Sequence, residues 1–198
     1  AHSFHLLKGI RNIRAAFEDK DASPVYMANF LYMGGFAFFT SFSGILLVNR
    51  YGLDEAGIGT FFGVVGLCMV ITQLFILRLV TKHYKERSII RFTVPVVAAC
   101  MAVFPFLGSI GLTYALMPFI AVAQGLTMAN MTALVSKSVS PEKQGAALGI
   151  NGSLLALSQG TVPLLAGFAS GAIGVMAPFL AAAVFMIGSW WVLYIGKR

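Results

Sequence analysis

An all-α fold of six membrane-spanning helices is what this sequence predicts, and three observations carry the prediction. Hydrophobic residues make up 58% of the 198 and charged ones 11%, with a mean hydropathy of +0.84, too little polar side chain to clothe a water-soluble globule of this size. The charges sit at the ends of long apolar runs. One such run, from Gln144 to Gly196, holds no Asp, Glu, Lys, Arg or His, which is room for two bilayer-spanning helices of about 20 residues each. The net charge of +7 does not point to nucleic acid, because no basic patch is interleaved with aromatics on a soluble scaffold.

Residues 1–22 read as a cytoplasmic linker. Leu6, Ile10, Ile13 and Phe17 recur at helical spacing, with Lys8, Arg11 and Arg14 off that stripe. This fits a helix lying on the membrane surface with its basic side toward headgroups, and equally a soluble linker helix with an ordinary apolar face. Residues 23–198 then form a six-helix transmembrane bundle. Ser23 and Pro24 open a first span over about 25–49, followed by the short turn Arg50–Glu55. The second, about 57–77, carries Gly59, Gly63 and Gly66, the small-residue spacing of close helix packing. A basic cluster of Arg78, Lys82, Lys85, Arg87 and Arg91 faces only Glu86 and leads into spans at about 92–110 and 113–136, with a break near Gly108–Gly111. Ser140 is a good N-cap and Pro141 suits the first helical position, so the fifth span runs over about 141–169. Gly145, Gly149 and Gly152 should admit a neighbouring backbone, and Pro163 and Gly167 mark a bend. After a turn at Gly171–Gly174 the sixth span covers about 174–195, where Trp190, Trp191 and Tyr194 make an interfacial belt. Cys68 and Cys100 lie in apolar stretches and read as buried thiols, with no metal or cofactor expected.

Six spans place thirteen of the fourteen Lys and Arg on the side of the termini and Arg50 alone on the other. The excess of basic residues in cytoplasmic loops then puts both termini in the cytoplasm.

The third and sixth spans are nearly featureless inside and suit facing lipid, whereas the other four carry polar groups. In the first, Asn29, Tyr32 and Phe36 share a stripe; Gln124 and Met128 do so in the fourth, and Asn151 and Ser158 in the fifth. Lipid cannot satisfy polar groups at bilayer depth, so these must face another helix or a wet cavity. Interhelical hydrogen bonds that only hold the bundle together are one reading. The other is a site for a small amphipathic organic solute, formed by Asn29, Tyr32, Phe36, Gln124, Met128, Asn151 and Ser158. No ionisable residue lies well inside a span, where each costs roughly 2.5–3.5 kcal/mol on an insertion scale. A proton-coupling group is therefore expected outside these helices, and Asp54 and Glu55 read as helix N-terminal charges.

Three stretches carry a family resemblance over essentially the whole chain. LVSKSVSPEKQGAALGINGS (134–153) resembles the junction of the tenth and eleventh helices of the major facilitator superfamily (MFS), and SQGTVPLLAG (158–167) resembles the glycine-and-proline pattern late in the eleventh. LRLVTKHYKERS (77–88) sits where that family has a basic loop motif, Gly-x-x-x-Asp-Arg/Lys-x-Gly-x-Arg/Lys. This copy is degraded, with Thr81 at the acidic position and Tyr84 at the second glycine, though Lys82, Lys85 and Arg87 keep its basic character. The chain thus resembles the C-terminal six-helix half of such a transporter, most nearly of the drug and metabolite efflux branch. The resemblance implies the first, second, fourth and fifth helices around a central cavity with the third and sixth outside, and alternating access by rocking of two halves. The partner is then an N-terminal six-helix half of the same transporter, or a second copy in a homodimer.

A channel or structural membrane subunit is the main alternative, although no ring-forming charge or repeated half-helix supports a pore. A six-helix intramembrane serine protease needs a histidine near a buried serine, and His2, His5 and His83 all fall outside the spans.

Overall fold

The computed structural model describes residues 22–195, and these form six long helices. They are α1 (Ser23–Tyr51), α2 (Glu55–His83), α3 (Glu86–Val103, continued by a 3-10 turn Phe104–Phe106), α4 (Ile110–Lys137), α5 (Gln144–Ile173) and α6 (Ala177–Ile195). By length and composition α1, α2, α3, α4 and α6 are long and apolar enough to cross a membrane, and α5 adds 30 residues with no charged side chain. The linker helix expected over residues 1–22 lies outside the described residues except for Ala22, as do Lys197 and Arg198.

Local chemistry sets the helix ends. α1 stops at Gly52, whose φ of 64° is the left-handed conformation glycine adopts without strain and whose N–H reaches the Val48 carbonyl. Arg50 donates to the Pro105 carbonyl, and the Tyr51 hydroxyl donates to the Leu107 carbonyl at 2.8 Å, so this end of α1 is tied to the turn between α3 and α4. Asp54 caps α2, accepting the Gly57 N–H at 2.8 Å. The helix then passes the end of its apolar run at Leu77 and continues to His83, because Arg78 and Lys82 are good helix formers and cations are favourable near a helix C-terminus. Within it, Thr72–Ile76 is one wider π turn. Ser109 caps α4, accepting from Leu112 at 3.3 Å. At the start of the fifth helix, Pro141–Lys143 forms a single 3-10 turn that feeds α5 at Gln144. Its backbone N–H bond and the Ser140 hydroxyl hold the exposed Glu142 carboxyl below the usual carboxylate range. α5 runs through Pro163 and Gly167 to Ile173, and Gly174, at φ 106°, makes the turn into α6.

α1 is the spine of the bundle, packed along α6 and α5. Gly34 and Gly35 make this possible: a Cβ on Gly35 would stand 2.8 Å from the Ala182 carbonyl oxygen and 3.0 Å from Met186. α6 turns Phe179, Ala182, Met186, Ser189 and Leu193 inward and leaves Leu180, Val184, Ile187 and Trp191 exposed. α3 likewise buries Ile90, Val94, Val97 and Met101. An aromatic cluster closes the end near Gly52, with Phe39 edge-on to Phe104 at 5.0 Å and to Phe179 at 6.1 Å. Phe61 of α2 joins it through Phe104 at 6.3 Å and stands edge-on to Tyr114 at 5.6 Å. At the opposite end the Trp190 indole donates to the Arg91 carbonyl at 3.1 Å, Tyr194 donates to the Arg87 carbonyl, and the Arg91 guanidinium lies 5.9 Å over the Tyr194 ring.

The glycine stripes expected to mediate close packing do not do so here. A Cβ on Gly59, Gly63, Gly66, Gly145, Gly149 or Gly152 would meet nothing within 4 Å among the described residues. The close approaches fall instead at Gly34 and Gly35, and at Gly125, where Thr72 of α2 comes within 3.1 Å of the Cβ position. Small-residue spacing makes an approach sterically possible without supplying the helix that approaches.

Candidate functional site

Asn29, Tyr32 and Phe36 fall at i, i+3 and i+7 of α1, one above another on the face turned to α4 and α5. The Asn29 amide donates to the Asn151 carbonyl oxygen of α5, and the Tyr32 hydroxyl donates to the Gln124 carbonyl oxygen of α4. Ser158, one helical face along from Asn151, is buried and donates to the Phe30 carbonyl at 3.4 Å. The two other helices with a polar stripe, α4 and α5, are thus joined to α1 through it. One turn from Gln124 on α4, the Thr127 hydroxyl donates to Thr93 of α3 at 2.7 Å, which ties α4 to α3 as well.

Beside these bonds lies a cavity of about 210 Å³ between α1, α2 and α4. Phe36 and Gln124 line it together with Thr40, Phe62 and Met69. Phe36 is half-buried and stacks on Phe39 at a centroid distance of 6.2 Å. Gln124 is 1% exposed, and its amide nitrogen has no hydrogen-bond partner among the described residues; the same holds for the Asn29 carbonyl oxygen. An unmet buried polar atom costs about 1–3 kcal/mol, so both amides retain unused capacity for a solute or a water. Met128, one turn beyond Gln124, is half-buried and packs against the apolar core. The structure therefore pairs Asn29 with Asn151 and Tyr32 with Gln124, but of the seven residues only Phe36 and Gln124 line the cavity; Asn29, Tyr32, Met128, Asn151 and Ser158 are not in its lining.

The walls of this region are amides, hydroxyls, aromatic rings and thioethers. Such a set orients a neutral or weakly polar organic group by hydrogen bonding and stacking, and offers no general base, nucleophile or metal-ligand cluster among the described residues.

The major facilitator superfamily model matches residues 25–198. The chain belongs to the major facilitator superfamily. Its fold is similar to that of a solved MFS protein, the human organic anion transporter MFSD10 (TETRAN), with a TM-score of 0.79 and 18% sequence identity. The match covers 87% of this chain and 40% of that one, so the chain spans less than half the length of its structural relative. No curated protein matches the sequence. Membership and apolar helices together make it an integral membrane protein with one half of the MFS fold.

Sequence reasoning named no site residue on α2, although the resemblance put that helix beside the central cavity. Phe62 and Met69 enter the cavity from that helix, and Thr72 packs on Gly125 one residue beyond Gln124. Phe62, Gly66 and Met69 do recur at spacings of four and three, but in a helix this apolar such a stripe does not stand out from its background. Thr127 and Thr93 join α4 to α3, and two threonines on separate helices announce no pairing in the sequence.

Proposed function

We propose that the chain is half of a secondary active transporter that moves a small amphipathic organic solute by alternating access. The observation that supports this most is the uncharged polar pairs Asn29–Asn151 and Tyr32–Gln124, with the unmet Gln124 amide in the wall of a cavity and a second unmet amide oxygen at Asn29. In this reading Asn29, Tyr32, Phe36, Gln124, Met128, Asn151 and Ser158 line the solute path, and the bound solute satisfies the amides while its apolar part lies on Phe36. The partner is an N-terminal six-helix half of the same transporter, which the 40% coverage of MFSD10 favours over a second copy. Exposed faces on α2 and α5, carrying Gly59, Gly63, Gly66, Gly149 and Gly152, are where that half docks. Both termini are cytoplasmic, in the cell or inner membrane. Any proton-coupling residue lies in the other half.

The test is solute exchange in proteoliposomes holding the full transporter. A carrier exchanges labelled for unlabelled solute faster than it releases it into empty buffer, and this trans-stimulation should fall with Gln124→Leu or Asn151→Leu. A channel gives flux without trans-stimulation and a structural subunit gives neither, and either result overturns the reading.

A further inference from the structure

The outer side of the bundle holds a second concavity, which shares no lining residue with the cavity beside Gln124. It is an apolar groove of about 390 Å³ between α3 and α4, lined on one wall by Phe92, Thr93 and Val96 and on the other by Phe119, Val122 and Leu126. Two of its residues stand far out from the surface, Phe92 at 72% exposure and Phe119 at 65%, so they flank a trough. Its one hydroxyl group, on Thr93, is already engaged by the Ile89 carbonyl and by Thr127.

The groove has a charged mouth at one end only. Lys85 stands seven residues before Phe92, two turns of helix and on the same face, about 10 Å away along the axis. On α4 the groove face continues from Val122 and Leu126 through Ala129 and Ala133 to Lys137, about 16 Å beyond Leu126. On the α4 side only these two small alanines occupy that face between Leu126 and Lys137, and on the α3 side the intervening Ile89 is turned inward, 4% exposed. Lys137 pairs with Glu86, yet its side chain remains 63% exposed. From residue 56 to residue 141 Glu86 is the one acidic residue, against six Lys and Arg, so the mouth is basic overall. The far end of the groove, around Pro118 and Phe119, carries no charge. Trp190 and Tyr194, fastened to the carbonyls of Arg91 and Arg87, mark this same end of α3 as the level of the headgroups.

An apolar trough that opens onto lysines at headgroup depth matches an amphiphile with an apolar tail and an anionic head. We infer that the groove between α3 and α4 binds an acyl chain of an anionic phospholipid, with Lys85 and Lys137 holding its phosphate-bearing headgroup. A zwitterionic lipid places the same tail but gains less at the lysines, so the site distinguishes lipids by head charge. Glu86 acts against this binding, since it occupies Lys137 and repels the headgroup.

The experiment uses the full-length protein in phosphatidylcholine vesicles with increasing phosphatidylglycerol. A Cys68→Ser, Cys100→Ala background receives a single cysteine at Val96 in the groove, or at the lipid-exposed Val184 on α6 as a control, each labelled with bimane. Quenching by spin-labelled phosphatidylglycerol against spin-labelled phosphatidylcholine gives the relative association of the two lipids at each place. At Val96 the anionic lipid should be preferred about fivefold for each effective lysine, the factor that corresponds to about 1 kcal/mol per cation near a membrane surface. At Val184 the ratio should be near one. Lys85→Gln with Lys137→Gln should bring the Val96 ratio toward that of Val184, Lys85→Arg with Lys137→Arg should keep it, and Glu86→Gln should raise it. Lys85→Gln alone, at an exposed residue whose side chain makes no cap bond, carries the test if the double variant fails to fold. Equal ratios at Val96 and Val184, or a Val96 ratio that the glutamine substitutions leave unchanged, overturns the inference.

Discussion

α1 and α2 are both 29-residue helices, and α2 is the more apolar, with a mean hydropathy of 2.2 over its most apolar stretch against 1.7 for α1. Yet 61% of that stretch is buried in α1 and 11% in α2. In water the order would be reversed, because the more apolar helix would be driven inward. Lipid removes that drive: an alkyl chain satisfies a leucine as well as another helix does, and what selects partners is shape and hydrogen bonding. α1 has both. Gly34 and Gly35 let α6 approach, and Asn29 and Tyr32 have side-chain partners on α5 and α4. α2 carries glycines at similar spacing, but its buried contacts are few: Phe61 on the aromatic cluster and Thr72 on Gly125.

If that contrast is right, the largest effect should come from the anchor of the barer helix. Phe61→Ala should destabilise the chain by about 3–5 kcal/mol, whereas Phe75→Ala, on the same helix but 63% exposed, should stay within about 0.5 kcal/mol, as read by unfolding in detergent. Equal losses would mean that α2 is held along its whole length. Gly35→Leu comes next, at about 3 kcal/mol, because the added side chain meets the α6 backbone rather than a movable side chain. Gly63→Leu in the isolated chain should cost under about 0.5 kcal/mol, and a larger loss would show that the α2 stripe already packs within this half.

The same glycine sharpens the comparison once the full transporter is assembled. There Gly63→Leu or Gly149→Leu should lower transport about tenfold through overpacking, while leaving the isolated half folded. Transport unaffected by either would place the docking face elsewhere. Gln124→Leu should reduce solute exchange about tenfold relative to Val103→Leu, since it strands the Tyr32 hydroxyl and removes an unmet amide from the cavity. Similar losses at both would point to general packing damage. The mildest perturbation tests sidedness: cysteines at Asp54 and Lys85, in a background lacking Cys68 and Cys100, should label from opposite faces of the membrane with stability unchanged. Labelling from one face would break the assignment of α2 as a span.

Much of the candidate site was legible. Asn29, Tyr32, Gln124 and Asn151 stood out because an amide or phenol inside an uncharged run has to find a partner, and the structure gives each one. Their mutual pairing was not legible. Nothing at Asn29 says that it meets Asn151 rather than Gln124, because both amides offer the same donor and acceptor. The α2 wall of the cavity was missed for the opposite reason, since Phe62 and Met69 are ordinary residues for lipid to cover.

The sequence by itself determined the membrane class, the helical fold and the approximate places of the turns near Gly52 and Gly174. These depend on charge, period and backbone conformation within a few neighbouring residues. The tertiary structure alone decided which glycines touch another helix, which polar groups pair and where the cavity and the α3–α4 groove lie. Such contacts join residues as far apart as Tyr32 and Gln124, or Asn29 and Asn151, and inside a bilayer no difference in solvent tells one apolar helix face from another.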